Sequence, residues 1–206
     1  TIMEQYNKVL IRTTLTDDGT LPRTGALSNS PDVIPYGTTK VADPGIFFID
    51  NYDENVGTEL IALARNYLYM RCKSIIIDKV KADLYVYYAK DADLNTPKKW
   101  VNNLLKTSSG KNFNAVIGQS EGAIMAGSEA YEWMVPDPAA GESYSLIGVA
   151  VPSGTVPSFT GVNNFEEFVA NNNNVGWDKV TIKKPTPPPT PTFRWQASFI
   201  YDEGDV

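Results

Sequence analysis

Apolar and polar residues alternate in short segments along most of this chain, and this pattern restricts the fold more than any other feature. Segments 67–73 and 82–89 both place apolar side chains at every second position. A period of two residues is typical of a β-strand with one buried face. Glycine, proline, asparagine and aspartate separate the segments, as they do at turns. The sequence therefore predicts an all-β fold, an antiparallel β-sandwich with short helical insertions.

Segments 67–73 and 82–89 are joined by a short charged link, which favours an antiparallel hairpin or neighbouring strands in one sheet. One parity of these strands is predicted to be buried and carries Met70, Cys72, Leu84 and Val86. The other parity is predicted to be exposed and carries Tyr67, Tyr69, Tyr85 and Tyr87. Such tyrosines are suited to stacking on sugars or anchoring a protein partner. Alternatively, they pair across strands and stabilise the sheet, or they lie beneath the long connection at 20–44.

The sequence also predicts later strands at 113–117, 122–126, 131–135, 144–151 and 175–182. We expect a first strand at 8–14, an irregular proline-containing connection at 20–44 and a short buried strand at 46–50. Thr96 and Pro97 indicate a brief helical turn, and the spacing of apolar residues in 164–170 predicts a short amphipathic helix. The predicted organisation has four parts: an N-terminal strand and lead-in packed on the sandwich (1–56), the sandwich core (57–183), a proline-rich spacer (184–192) and a tail strand (193–206).

Composition excludes several classes of site. The 206 residues contain no histidine and one cysteine, which excludes Ser-His-Asp and Cys-His catalysis, histidine-ligated metals and an internal disulfide. The net charge of −6 argues against a nucleic-acid-binding surface. No segment has the length of apolar sequence that spans a bilayer. We predict neither catalysis nor a cofactor.

The segment DNYDEN holds the densest group of side-chain oxygens. Asp50 and Asp53 of this segment are candidate calcium ligands. The chain lacks the twelve-residue calcium loop with its central glycine. A solvated turn explains these residues equally well.

Four phrases of sequence occur in an order and spacing that resemble a known kind of module. They are NYLYMR (66–71), ADLYVYY (82–88) followed by PKKW (97–100), YSLIG (144–148) and NNNNVGW (171–177). Residues 57–183 resemble a bacterial immunoglobulin-like β-sandwich, an accessory module of secreted bacterial proteins, including some proteases. The resemblance implies a fold and an accessory role in a secreted or toxin-like system, with no catalytic residues to carry over. Such modules often have a cysteine or histidine near YSLIG, whereas this chain has Tyr144 and Ser145.

The C-terminal region combines a stiff spacer with an alternating segment. Five prolines between residues 185 and 191 predict a polyproline II spacer of about 20 Å. Beyond the spacer, Phe193, Trp195 and Phe199 share one face of a predicted strand. This strand either completes its own sandwich, adds to a sheet edge of another copy or of a protein partner, or begins a further domain.

The sequence thus favours a non-catalytic binding or assembly module that forms a homo-oligomer or binds a protein partner through its C-terminal strand. The alternative is a carbohydrate-binding module that uses the tyrosine face. Localisation stays open between an intracellular and an extracellular site.

Overall fold

A computed structural model describes residues 5–196 of the chain. These residues form a β-rich structure with two short α-helices. The strands, in chain order, are β1 (Val9–Leu10), β2 (Val33–Pro35), β3 (Leu60–Ile61), β4 (Arg65–Ser74), β5 (Val80–Lys90), β6 (Asn114–Gly118), β7 (Ile124–Ala126), β8 (Tyr131–Met134), β9 (Tyr144–Pro152), β10 (Val175–Lys179) and β11 (Ile182–Lys183). The helices are α1 (Pro44–Asp50) and α2 (Phe165–Ala170), and 3-10 turns occupy Asp91–Asp93 and Pro97–Lys99.

The first sheet is centred on β4. Strands β1 and β2 pair with one edge of β4, and β7 and β8 pair with the other, all antiparallel. Both β1 and β2 lie before residue 57, so the N-terminal segment supplies strands to this sheet. The second sheet has the antiparallel order β10-β9-β5-β6.

The two sheets face each other across one apolar core. Leu68, Met70 and Cys72 of β4 belong to the same buried cluster as Leu84 and Val86 of β5. All five side chains are fully buried, which confirms the predicted parity of both strands.

Two glycines allow the sheets to approach closely. Gly148 of β9 is paired with Gly176 of β10. A Cβ atom on Gly148 would lie 2.6 Å from Val33, and one on Gly176 would lie 2.4 Å from Ile11. These glycines of YSLIG and NVGW are therefore required by packing against the N-terminal strands.

The predicted pairing of the two long strands is wrong. Strand β4 lies in the first sheet and β5 in the second, and residues 75–79 connect the sheets. Alternation specifies which side chains of a strand point inward, but it contains no information about which strand lies alongside it.

The predicted strand at 46–50 is also wrong, because this segment is helix α1. The Asp43 side chain caps the helix by accepting a hydrogen bond from the Ile46 N–H at 3.2 Å, and Pro44 occupies the first turn. Both are helix-start signals, and in this chain they prevail over the β-propensity of Ile46, Phe47 and Phe48.

The other predicted elements agree better with the structure. Strands β6, β7, β8 and β9 lie where alternation predicts strands, and α2 begins after Asn164, whose side chain accepts from the Glu167 N–H. Within residues 5–196, no helix has both the length and the apolar character needed to cross a bilayer.

Candidate functional site

The predicted tyrosine face does not exist as an exposed surface. Tyr69, Tyr85 and Tyr87 retain 1%, 5% and 3% of their accessible surface, and Tyr67 is half-buried. Tyr67 and Tyr69 lie on the outer face of the first sheet, whereas Tyr85 and Tyr87 lie on the outer face of the second. The prediction that Tyr69 and Tyr87 are solvent-exposed is therefore wrong. The carbohydrate-binding alternative loses the surface on which it depended.

A covering layer formed by α1 and its flanking loops buries the tyrosines of the first sheet. The Phe48 ring lies 4.7 Å from the ring of Tyr69. The hydroxyl of Tyr69 accepts a hydrogen bond of 2.8 Å from the Val41 N–H, and the Lys40 ammonium lies 5.2 Å from the centre of the Tyr67 ring.

A second covering layer, formed by segments 94–105 and 155–170, buries the tyrosines of the second sheet. The fully buried Trp100 and the ring of Phe159 lie 5.8 and 5.3 Å from the ring of Tyr87. The Tyr85 hydroxyl donates to the Thr155 carbonyl at 3.2 Å. Burial raises the pKa of both tyrosines.

The first covering layer is held by a buried ionic cluster that the sequence did not reveal. Asp32 accepts from Arg12 at 2.7 Å and from Arg71 at 2.9 Å, and all three residues are at most 3% exposed. The Arg71 guanidinium also donates to four backbone carbonyls, of which those of Phe48, Asn51 and Glu54 lie in the covering layer and that of Pro31 precedes β2. Tyr52 also contacts the cluster: its ring lies 3.4 Å from the Arg12 guanidinium, and its carbonyl accepts a hydrogen bond of 2.8 Å from Arg12.

Arg71 lies at an outward position of β4 between Tyr69 and Lys73, where an alternating pattern predicts a solvated side chain. The sequence contains no sign that it meets a carboxylate thirty-nine residues away. The two arginines and one aspartate leave a surplus positive charge, which backbone carbonyl oxygens compensate. Because the charged groups bind one another and the backbone, the role of the cluster is structural.

A third buried arginine connects the ends of the fold. Arg23 donates to the carbonyl oxygens of Ile11, Val169, Asn172 and Val175 and lies 3.3 Å from Asp17. These contacts join the N-terminal segment to α2 and to β10. This residue is also structural.

The most perturbed carboxyl group of the described residues is that of Asp178 in β10. Burial raises its pKa to about 8, so the group is mainly protonated at neutral pH. Asp178 borders a polar cleft with Ser30, Asn55, Thr58 and Glu59. Glu59 is paired with Lys183, and the cleft contains no nucleophile with an adjacent base.

The calcium candidates do not assemble into a site. Asp50 and Asp53 are both exposed. Among residues 5–196, no three acidic, cysteine or histidine side chains come close enough to hold a metal ion.

Within residues 5–196, the exposed Phe and Trp side chains lie in the C-terminal segment 184–196. Strand β11 pairs in parallel with β3, and the segment 184–196 then continues without regular secondary structure. Phe193 is 82% exposed and Trp195 is 95% exposed, whereas Phe199 lies outside the described residues. A free Trp and Phe on an otherwise polar segment are typical of a binding element.

A comparison with known protein families and with curated proteins found no match to this chain.

Proposed function

We propose that this protein is a non-catalytic assembly module with an immunoglobulin-like topology, which joins a second copy of itself through its C-terminal strand. The observation that carries the proposal is the exposure of Phe193 and Trp195 at the end of a proline-rich spacer. Tyr69, Tyr85 and Tyr87 are covered by the chain itself and Tyr67 is half-buried, so Phe193 and Trp195 are the most exposed aromatic side chains of residues 5–196.

The order of strands supports an immunoglobulin-like topology. In that fold, the second strand lies between the first and the fifth, and the sixth lies between the third and the seventh. If β1 and β2 count together as the first strand, β4 takes the second position, between the first strand and the β7–β8 pair. Strand β9 takes the sixth position, between β5 and β10.

Energetics support association through the tail when backbone pairing accompanies aromatic burial. Burial of a Phe and a Trp contributes several kcal/mol at about 25 cal/mol per Å². Ordering the backbone costs about 1–2 kcal/mol per residue, although prolines lower that cost in the spacer because their φ angle is already restricted. The hydrogen bonds of an added strand provide the remainder.

Truncation tests the proposal. Light scattering after size-exclusion chromatography measures the mass of the full chain and of a chain that lacks Pro185–Val206, over a wide concentration range. We expect the full chain to form dimers or larger oligomers and the shortened chain to be a folded monomer. A full chain that is monomeric at every concentration, or a shortened chain that unfolds, contradicts the proposal.

A double substitution separates the contribution of the aromatic side chains to association from the effect of removing a long segment. The double substitution Phe193→Ser and Trp195→Ser is expected to weaken association. Ile77→Ser with Val156→Ser is the matched control, because these residues are 79% and 75% exposed on the body of the protein. Equal effects of the two double variants would show that general surface hydrophobicity drives association.

A further inference from the structure

Strand β6 is the outer strand at one end of the second sheet, and its outer edge is open. The pairing pattern of β5 shows which backbone groups point outward. On the β6 side of β5, Leu105 N–H donates to the Val86 carbonyl and Tyr88 N–H donates to the Asn103 carbonyl. Even-numbered residues of β5 therefore direct their backbone toward β6, and their partners in β6 are Asn114, Val116 and Gly118.

The alternate residues of β6, Ala115 and Ile117, consequently direct their N–H and C=O groups away from β5. Within residues 5–196, no backbone or side-chain group forms a hydrogen bond with these outward groups. Ala115 is exposed and the Ile117 side chain is 52% exposed. The strand thus offers unpaired backbone groups beside an apolar side chain, which is the usual template for an added strand.

Other edges of the two sheets are covered by the chain itself. At β10, Ser30 N–H donates to Trp177 and Lys179 N–H donates to Ser28. At β8, Glu132 N–H donates to Lys106, and Ser108 N–H donates to Ala130 just before the strand. Within residues 5–196, no such segment forms hydrogen bonds with the outer edge of β6.

We infer that the outer edge of β6 is the acceptor for the C-terminal strand, Phe193–Ile200, of a second copy of this chain. This inference rests on the proposed assembly function and identifies the surface that the tail binds. The tail of the same copy does not occupy this edge in the described residues, because Phe193 and Trp195 are almost fully exposed.

The outer face of the sheet at β6 and the aromatic face of the tail both carry apolar side chains. Residues at odd positions of β6 share the outer face of the sheet, where Phe113 is half-buried and Ile117 is exposed. The tail carries its aromatic residues on one face, so an added strand can place them next to Ile117 and Phe113.

Charge indicates the direction of the added strand. Lys79 and Lys81 are exposed beside the Gly118 end of β6, and the sequence after the tail strand is Asp202-Glu203-Gly204-Asp205. A tail running parallel to β6 brings these opposite charges to the same end.

The test uses the full chain with a charge placed on the open edge. Ile117→Lys leaves the pairing with β5 intact, since the backbone of this residue points outward and its side chain is already exposed. We expect the association constant, measured by sedimentation equilibrium, to fall at least tenfold while the thermal midpoint is unchanged. Met134→Lys is the matched control on β8, because Met134 is 62% exposed, and it should associate normally.

Disulfide trapping provides a second readout. A chain carrying Ala115→Cys is mixed with a chain carrying Ala197→Cys, because Ala197 shares the aromatic face of the predicted tail strand. The native Cys72 does not interfere because it is fully buried. We expect a cross-linked dimer in the mixture.

The outcomes separate this inference from the proposed function. If Phe193→Ser with Trp195→Ser abolishes association but Ile117→Lys does not, the tail binds elsewhere: the assembly function stands and the inference is wrong. If the unmodified full chain is always monomeric, both fail. An internal disulfide in a chain that carries both cysteines, with no cross-link in the mixture, would overturn the choice of a second copy.

Discussion

Aromatic residues of the body and of the tail experience opposite environments in this molecule. Trp100 is fully buried against the tyrosine face of the second sheet, whereas Trp195 is 95% exposed. The body covers the outer face of each sheet with a helix and loops, and arginine–carbonyl contacts hold these layers in place. The comparison shows that segments of the same chain bury the aromatic side chains on the outer faces of both sheets, whereas Phe193 and Trp195 stay exposed.

The largest expected effect comes from removing the arginine that holds the first covering layer. Arg71→Ala deletes the pair with Asp32, which keeps its hydrogen bonds to Arg12, and removes the donor from several buried carbonyl groups of the covering layer. We expect a loss of about 3–5 kcal/mol in the free energy of unfolding, measured with urea. Arg65→Ala on the same strand is the control: its contact with Glu132 is long at 3.9 Å and exposed, so a change below about 0.5 kcal/mol is expected. Similar effects of the two variants would contradict the structural role of the cluster.

Trp100→Ala tests the covering layer of the second sheet. This substitution removes a fully buried side chain that contacts Tyr87, Phe159 and Phe165. The expected cost is about 3–5 kcal/mol, because the truncated side chain leaves a cavity. A loss below 1 kcal/mol in urea denaturation would mean that the covering layer contributes little to stability.

Asp178 in β10 is expected to make the free energy of unfolding depend on pH, and the size of this effect is intermediate. The pKa of Asp178 is raised to about 8 by burial, from about 3.9 in an unfolded chain. The folded protein therefore keeps a proton that the unfolded chain releases, and this group makes stability fall as the pH rises from about 4 to 8.

Asp178→Asn removes that dependence. Since the residue is partly exposed, we expect a gain of only about 1–2 kcal/mol relative to the unmodified protein at pH 8, and a much smaller difference at pH 4. Urea denaturation at pH 4, 6 and 8 measures the change, with the exposed Asp53→Asn as the control. A difference that does not vary with pH would refute the assignment.

The smallest effect on stability is expected in the tail. At concentrations where the protein is monomeric, Trp195→Ala should alter the free energy of unfolding by less than about 0.5 kcal/mol. The reason is that the Trp195 side chain is 95% exposed in the folded protein, so folding buries almost none of it. A loss comparable to that of Trp100→Ala would show that the tail strand belongs to its own body.

Local patterns predicted several elements well. Alternation in β4 and β5 identified the side chains that point into the core between the two sheets. Successive side chains of a strand point to opposite faces of its sheet, whichever strands lie beside it. The spacing of Phe165, Phe168 and Val169, together with Asn164, located α2.

Errors arose where distant segments meet. The tyrosines were predicted to form one exposed face, but β4 and β5 lie in different sheets and other segments cover both outer faces. The segment 46–50 was predicted as a strand because its apolar residues were weighed above Asp43 and Pro44, which start a helix.

The sequence by itself determined the β-rich class, the inward parity of the long strands, the short helix α2 and the alternating aromatic residues beyond the proline run, since each follows from the geometry of a few consecutive residues. Only the tertiary structure decided that four tyrosines lie under covering layers, that Arg71 meets Asp32, and that the edge of β6 stays open. Those features depend on contacts between residues far apart in the chain, and the free energy of such contacts is determined by packing and burial rather than by local pattern.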